Sequence, residues 1–372
     1  GSEMCIRDSY NGMRKQDEYN ERVRASDMFL ALFHKKAGKF TIEEFNIARK
    51  AFDEQASPKI YTYIKDLEAG ESESRELAEF KRLMLEELGH YWCRYSNFDT
   101  MQLHFVLQLQ MVEATTPIKV EVKESQVKIG DSTIADLNNV PFTSENTTHK
   151  ELKSRKEQLD REIGNAESGG RRGFFGQRSR TTDEELANLR AERESVTEQI
   201  ERQEKALVDT AMSIARMQGG ECSSRMRTAA ELFEKGETGK AEAVLKEDDM
   251  EADATNAKLK FDTAAQPTAE LARNIERCAG EYMLKARIVI SGIADESRYL
   301  KAAKLMSTAI DLVSGRLPEE TLAEYLFDYA VLLTDAGQQT KALETWERLS
   351  GIYERLYRKA CLLYTSDAAD DK

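Results

Sequence analysis

Two adjacent carboxylates, Glu43 and Glu44, lie in the stretch AGKFTIEEFNIA (Ala37–Ala48), directly after the apolar run MFLALF. Two physical roles fit Glu44. Thr41 followed three residues later by Glu44 is the pattern of a capping box: the Thr hydroxyl accepts an amide hydrogen bond and the Glu reaches back to the Thr41 amide. The second role is chemical. A carboxylate in the first turn of a helix, at the C-terminal end of a strand, faces the crevice where open α/β sheets bind ligands. There it could stabilise the charge that develops at a ribosyl carbon as a glycosidic bond breaks, or attack that carbon. Glu43 points about 100 degrees away on the same helix. His34 follows the strand directly, and with Gly38 and Thr41 it would line the substrate side of the same crevice.

The other reactive residue types are sparse. His90, His104 and His149 share no ligand-like spacing and read as core histidines, and no dinucleotide or Walker glycine motif is present. Five cysteines, Cys5, Cys93, Cys222, Cys278 and Cys361, are scattered without the spacing of a zinc site or a disulfide framework, so free thiols are expected. The segment SGGRRGFFGQRSR sets Phe174 and Phe175 among Arg171, Arg172, Arg178 and Arg180. It reads either as a solvated loop or as a docking spot for an acidic partner or another protomer.

The chain has 372 residues, 40% of them hydrophobic, enough for two or three domains with real cores. A formal net charge of -13 argues against general binding to nucleic acid or anionic membranes, which needs clustered Lys and Arg. The longest apolar runs, MFLALF and FVLQLQMV, fall short of the roughly 18 to 20 residues of a spanning helix. With no charged-then-apolar leader, a cytoplasmic location is expected, with no membrane association and no cofactor. MCIRDS (4–9) and CLLYTSDAADD (361–371) closely resemble translated sequencing-adapter read-through, which predicts that the natural protein differs at both ends.

The elements that must position these residues form four regions. In 10–115, SDMFLALF and KIYTYIKD read as buried strands on either side of a helix carrying Phe45, Ala48 and Phe52. That is the crossover unit of a parallel sheet, with two later helices expected to cover it. Region 116–145 alternates with period two and predicts a short β-hairpin joint. Region 146–218 predicts a helical hairpin of coiled-coil type, its a/d heptad interrupted at Arg193, Gln203 and Thr210 and its tip at the Gly/Arg/Phe segment. In 219–360, Ala229, Leu232, Gly236, Ala241 and Leu245 recur as Ala330, Leu333, Gly337, Ala342 and Trp346, each 101 residues later (330 minus 229). That shift is about three repeats of 34 residues. The expected fold is multidomain, α/β plus all-α.

The repeat pattern resembles the tetratricopeptide repeat, which implies an α-solenoid that binds a protein partner or self-associates. The N-terminal region resembles the TIR-like and nucleoside-deoxyribosyltransferase-like group of flavodoxin-type domains. There a strand beginning near Ser-Asp leads to a helix bearing one Glu, an aromatic and then Ala; here these are Ser26, Asp27, Glu44, Phe45 and Ala48. The family's first strand would precede Tyr10, so the resemblance implies a partial flavodoxin-like sheet lacking that strand. It further implies an effector of bacterial anti-phage defence or signalling that cleaves the N-glycosidic bond of NAD or a related nucleotide, with NAD as substrate and Glu44 as catalytic carboxylate. The alternative is a non-enzymatic scaffold in which both the α/β domain and the repeats bind protein.

Overall fold

The computed structural model describes residues 15–86, 92–109, 120–168, 183–217, 222–292 and 296–370. The chain divides into two compact units, Gly1–Met101 and Gln102–Lys372.

In the first unit α1 (Lys15–Arg24) precedes β1 (Met28–Phe33), α2 (Lys39–Gln55), β2 (Lys59–Lys65), α3 (Arg75–Glu86) and β3 (Cys93–Tyr95). The strands pair in parallel in the order β1-β2-β3, with Leu30 beside Tyr61 and Tyr63 beside Cys93. Successive right-handed crossovers stepping one way across a sheet put their helices on one face. Accordingly, Phe45 of α2 and Leu77, Phe80 and Met84 of α3 share a core with Ala31, Phe33 and Ile64, and Trp92 packs at its margin. The opposite face of β1 corrects the expectation of a strand buried on both sides: Met28, Leu30 and Leu32 are exposed. Among the described residues β1 is an edge strand, and its unbroken apolar run leaves Met28, Leu30 and Leu32 on an exposed face.

Helix α4 (Phe98–Leu109) spans the division between the units. The sequence predicts it as cover for the parallel sheet; instead Leu103 and Leu107 enter the core of the second unit with Val127, Leu137 and Leu207. The predicted hairpin joint is a three-stranded antiparallel sheet, β4 (Val120–Lys123), β5 (Gln126–Ile129) and β6 (Ser132–Asp136). Glu124 and Ser125 both have positive φ, 53° and 59°, the two-residue turn whose twist matches its flanking strands. The third strand, STIAD, is too short and polar to stand out, but its Ala135 is buried.

After α5 (Pro141–Ser144), α6 (Thr147–Ser168) and α7 (Asp183–Met217) run antiparallel. His149 meets Glu204, Arg155 meets Glu192 and Glu167 meets Arg190, partners climbing one helix and descending the other. The heptad interruptions are polar contacts: Arg193 pairs with Asp160, Gln203 Nε2 donates to Asn146 Oδ1 at 3.4 Å, and Thr210 Oγ1 donates to the Arg287 carbonyl at 3.2 Å. The predicted tip with Arg171, Arg172, Phe174 and Phe175 lies outside the described residues.

Seven helices follow: α8 (Ser224–Glu234), α9 (Thr238–Val244), α10 (Glu247–Thr263), α11 (Ala269–Ile290), α12 (Glu296–Val313), α13 (Glu319–Asp335) and α14 (Gln339–Asp370). The turns at Gly236 and Gly337 have the same backbone geometry. Glu237 N–H donates to the Leu232 carbonyl at 2.9 Å, and Gln338 N–H donates to that of Leu333, also at 2.9 Å. This is the long-range bond of a Schellman turn, and Gly236 and Gly337 supply its left-handed residue at φ 79° and 69°. Ala229, Ala241, Ala330 and Ala342 are all buried. Among the described residues no helix is long and apolar enough to cross a membrane.

The two turns are not equally constrained. A Cβ on Gly236 would lie 2.8 Å from the Pro141 carbonyl oxygen, whereas one on Gly337 would meet nothing within 4 Å. Gly337→Ala should therefore cost only the left-handed backbone penalty, about 1 to 2 kcal/mol. Gly236→Ala should cost at least about 1 kcal/mol more, because backbone must move. Urea unfolding followed by circular dichroism measures both; equal losses would refute the close approach at Gly236.

Candidate functional site

Helix α2 starts three residues earlier than the capping-box reading requires (41 minus 38). Gly38, in extended conformation, is the N-cap, no side chain caps the helix, and Ile42 N–H donates to the Gly38 carbonyl at 3.0 Å. Thr41 is therefore the third helical residue and cannot cap, and Glu44 falls in the second turn. Gly38 has no left-handed φ to satisfy, and an added Cβ would make only a 3.5 Å contact with Thr41 Oγ1. Nothing in its geometry demands glycine.

Glu44 is instead held by α1. Gln16 Nε2 donates to Glu44 Oε1 at 3.0 Å, and Asn20 Nδ2 donates to Glu43 Oε1 at 2.9 Å. Gln16 and Asn20 are one turn apart and bond each other at 3.2 Å, so the pair forms a clamp across both carboxylates. His34 belongs to a different network. Its Nε2 lies 3.2 Å from Glu71 Oε2, and Lys35 Nζ lies 2.5 Å from Glu71 Oε1. The Lys35 ammonium and the Glu68 amide hold the Glu71 carboxyl at about 2, well below the usual carboxylate range. Ser74 N–H donates to the Lys35 carbonyl at 2.7 Å. The loops after β1 and β2 are thus stitched together where a parallel sheet places its ligands. Of the predicted site residues, Gly38 and Thr41 meet at the start of α2, while Glu44 and His34 are each engaged elsewhere. Lys35, Glu71 and Gln16 had no signal in the sequence, because their partners are 28 to 37 residues away.

The second unit holds a buried polar cluster. Glu204, fully buried, accepts from Ser125 Oγ at 2.7 Å and bonds His149 Nε2 at 2.8 Å, both through Oε1. Lys153 Nζ donates to Ser125 Oγ at 3.0 Å. The carboxylate sits between the serine and the histidine, so His149 is not placed to take the Ser125 proton. This arrangement fastens α6 and α7 to the β4–β5 turn. Among the described residues no group of three or more His, Cys, Asp or Glu side chains is arranged to hold a metal ion. Cys93, Cys222 and Cys278 form no disulfide, and burial pushes the Cys278 thiol up to about 11, leaving it an inert packing residue.

A third feature comes from comparing the two copies of the repeat. The 101-residue shift carries Met226 onto Phe327 and Leu245 onto Trp346. The first pair is covered, Met226 being 4% and Leu245 0% exposed. The cover is α11: a Cβ on Gly280 would lie 3.2 Å from Met226 Cε, and Lys285 Nζ donates to the Leu245 carbonyl at 2.6 Å. The second pair is open. Phe327 is 47% and Trp346 36% exposed, and their rings meet edge to face with centres 5.5 Å apart. Leu343, Tyr353 and Tyr357 continue this exposed surface along α14 at helical spacing. Among the described residues it is the clearest unsatisfied apolar face of the second unit.

No family model matches the chain, and no curated protein or solved structure matches it either.

If Glu204 is the structural centre of its cluster, Glu204→Ala should cost about 3 to 5 kcal/mol, because it strands a buried histidine and a serine. Replacing Glu204 and His149 together by Leu should cost less than the single Ala change. Denaturant titration of the three proteins checks this; a double variant weaker than the single would show that the pair is not coupled.

Proposed function

We propose that this chain is an interaction protein in which a tetratricopeptide-like helical array, α8 to α14, seats a helix of another protein on its open end. One observation carries the reading: Phe327 and Trp346 are exposed where their repeat equivalents, Met226 and Leu245, are covered by a helix. Large aromatics in a contiguous patch are the residues that dominate binding energy, and each such side chain gains about 1.5 to 3 kcal/mol on full burial. In this reading the α/β unit is a second module attached to the array. A selection from a displayed library of helical peptides tests it. Binders should protect α13 and α14 from hydrogen exchange, and Phe327→Ser with Trp346→Ser should abolish that protection while the helical circular dichroism persists. Binders that protect other helices, or that ignore the double replacement, would remove the reading.

A second reading concerns the first unit, and one observation favours it. Glu44 stands in the second turn of a helix that follows a parallel strand, and the Gln16 amide fixes one of its oxygens. A carboxylate so held has the chemistry to stabilise a ribosyl cation, as the TIR-like resemblance implies for cleavage of NAD or a related nucleotide in anti-phage defence or signalling. Glu44→Gln keeps an acceptor for Gln16, so the melting temperature should stay unchanged while nicotinamide release from NAD stops. Release that survives the substitution, or is absent from the unaltered protein, would end this second reading.

A further inference from the structure

We propose that the helix seated on Phe327 and Trp346 is a basic amphipathic one, an apolar stripe flanked by Lys or Arg, contributed by a different protein. The inference rests on the docking reading above and adds the chemistry of the occupant. The open face has an acidic rim. Glu320 and Glu324 precede Phe327 by seven and three residues and so share its side of α13, Glu347 adjoins Trp346, and all three are exposed.

In the covered copy the covering helix α11 carries charges of both signs: Glu281 answers Arg225 at 2.9 Å, and Lys285 lies 3.0 Å from Glu247 beside Leu245. The same shift of 101 residues replaces Arg225 by Leu326, Lys246 by Glu347 and Glu247 by Arg348. Neither ion pair that seats α11 is therefore repeated at the open copy, and its occupant is selected by the rim of Glu320, Glu324 and Glu347, which favours positive flanks. A second copy of this chain is disfavoured as occupant, since it would bring an equally acidic rim, and a net charge of -13, against the first.

The probes are two fluorescein-labelled 18-residue helices with the same Leu stripe, one with Lys and one with Glu flanks, titrated against the full chain by anisotropy. The Lys helix should bind at least tenfold more tightly than the Glu helix, and its affinity should fall as salt is raised. Glu320→Lys with Glu347→Lys should weaken the Lys helix at least tenfold and strengthen the Glu helix. Phe327→Ser with Trp346→Ser should remove binding of the Lys helix. Equal affinity for both helices, or Lys-helix binding that survives the loss of both aromatics, overturns the proposal. So does a concentration-dependent mass that the aromatic replacements abolish, which would identify a second copy as the occupant. If neither probe binds while library-selected helices still protect α13 and α14, the docking reading stands and the basic occupant falls.

Discussion

The second unit is organised by the burial of α11. From Cys278 to Ala286 every residue of this helix is buried, and it packs against α7, α8, α9, α10 and α12. A helix enclosed on all sides normally carries no charge, yet this one carries Glu281 and Lys285. Each would be costly without a partner. Arg225 of α8 satisfies the first; the last carbonyl after α9 and Glu247 of α10 satisfy the second. Arg287, at the end of α11, lies 2.6 Å from Asp328 of α13. Apolar packing holds these helices together, and the charged contacts fix rotation and register, because sliding α11 by one turn would strand a charge in the core.

Part of this arrangement is legible in the sequence. The alternation of apolar strand and amphipathic helix between Met28 and Lys65 reports the parallel crossover, and the small residues and glycines of the repeat report two equivalent turns, since only local geometry is involved. What cannot be read is which periodic faces find a partner. MFLALF has the composition of a strand buried on both sides, and the Leu343, Trp346, Tyr353 series has the spacing of a core helix; both present open surface. The start of α2 departs from its sequence pattern for a related reason: Thr41 and Glu44 have capping-box spacing, but the chain turns helical at Lys39 with an unassisted Gly38. The buried charges of α11 and the Gln16–Asn20 clamp are set by tertiary neighbours, which no local pattern encodes.

The two units treat their carboxylates alike. Glu71, Glu204 and the Glu43–Glu44 pair each join segments far apart in sequence, and each is met by donors from more than one residue or by a paired clamp. The oxygens that reactive chemistry would use are also the ones that hold loops and helices in place. Catalysis in the first unit therefore requires Glu44 to serve a substrate without releasing α1, a demand that a purely interacting protein does not face.

The chain contains two tryptophans. Trp92 packs against the core beneath the parallel sheet, and Trp346 lies on the uncovered face of α14. Each unit thus carries its own native optical reporter, one in an apolar setting and one near water. Replacing either indole by phenylalanine leaves emission from a single unit, so the order in which the two halves lose structure becomes visible without any added label.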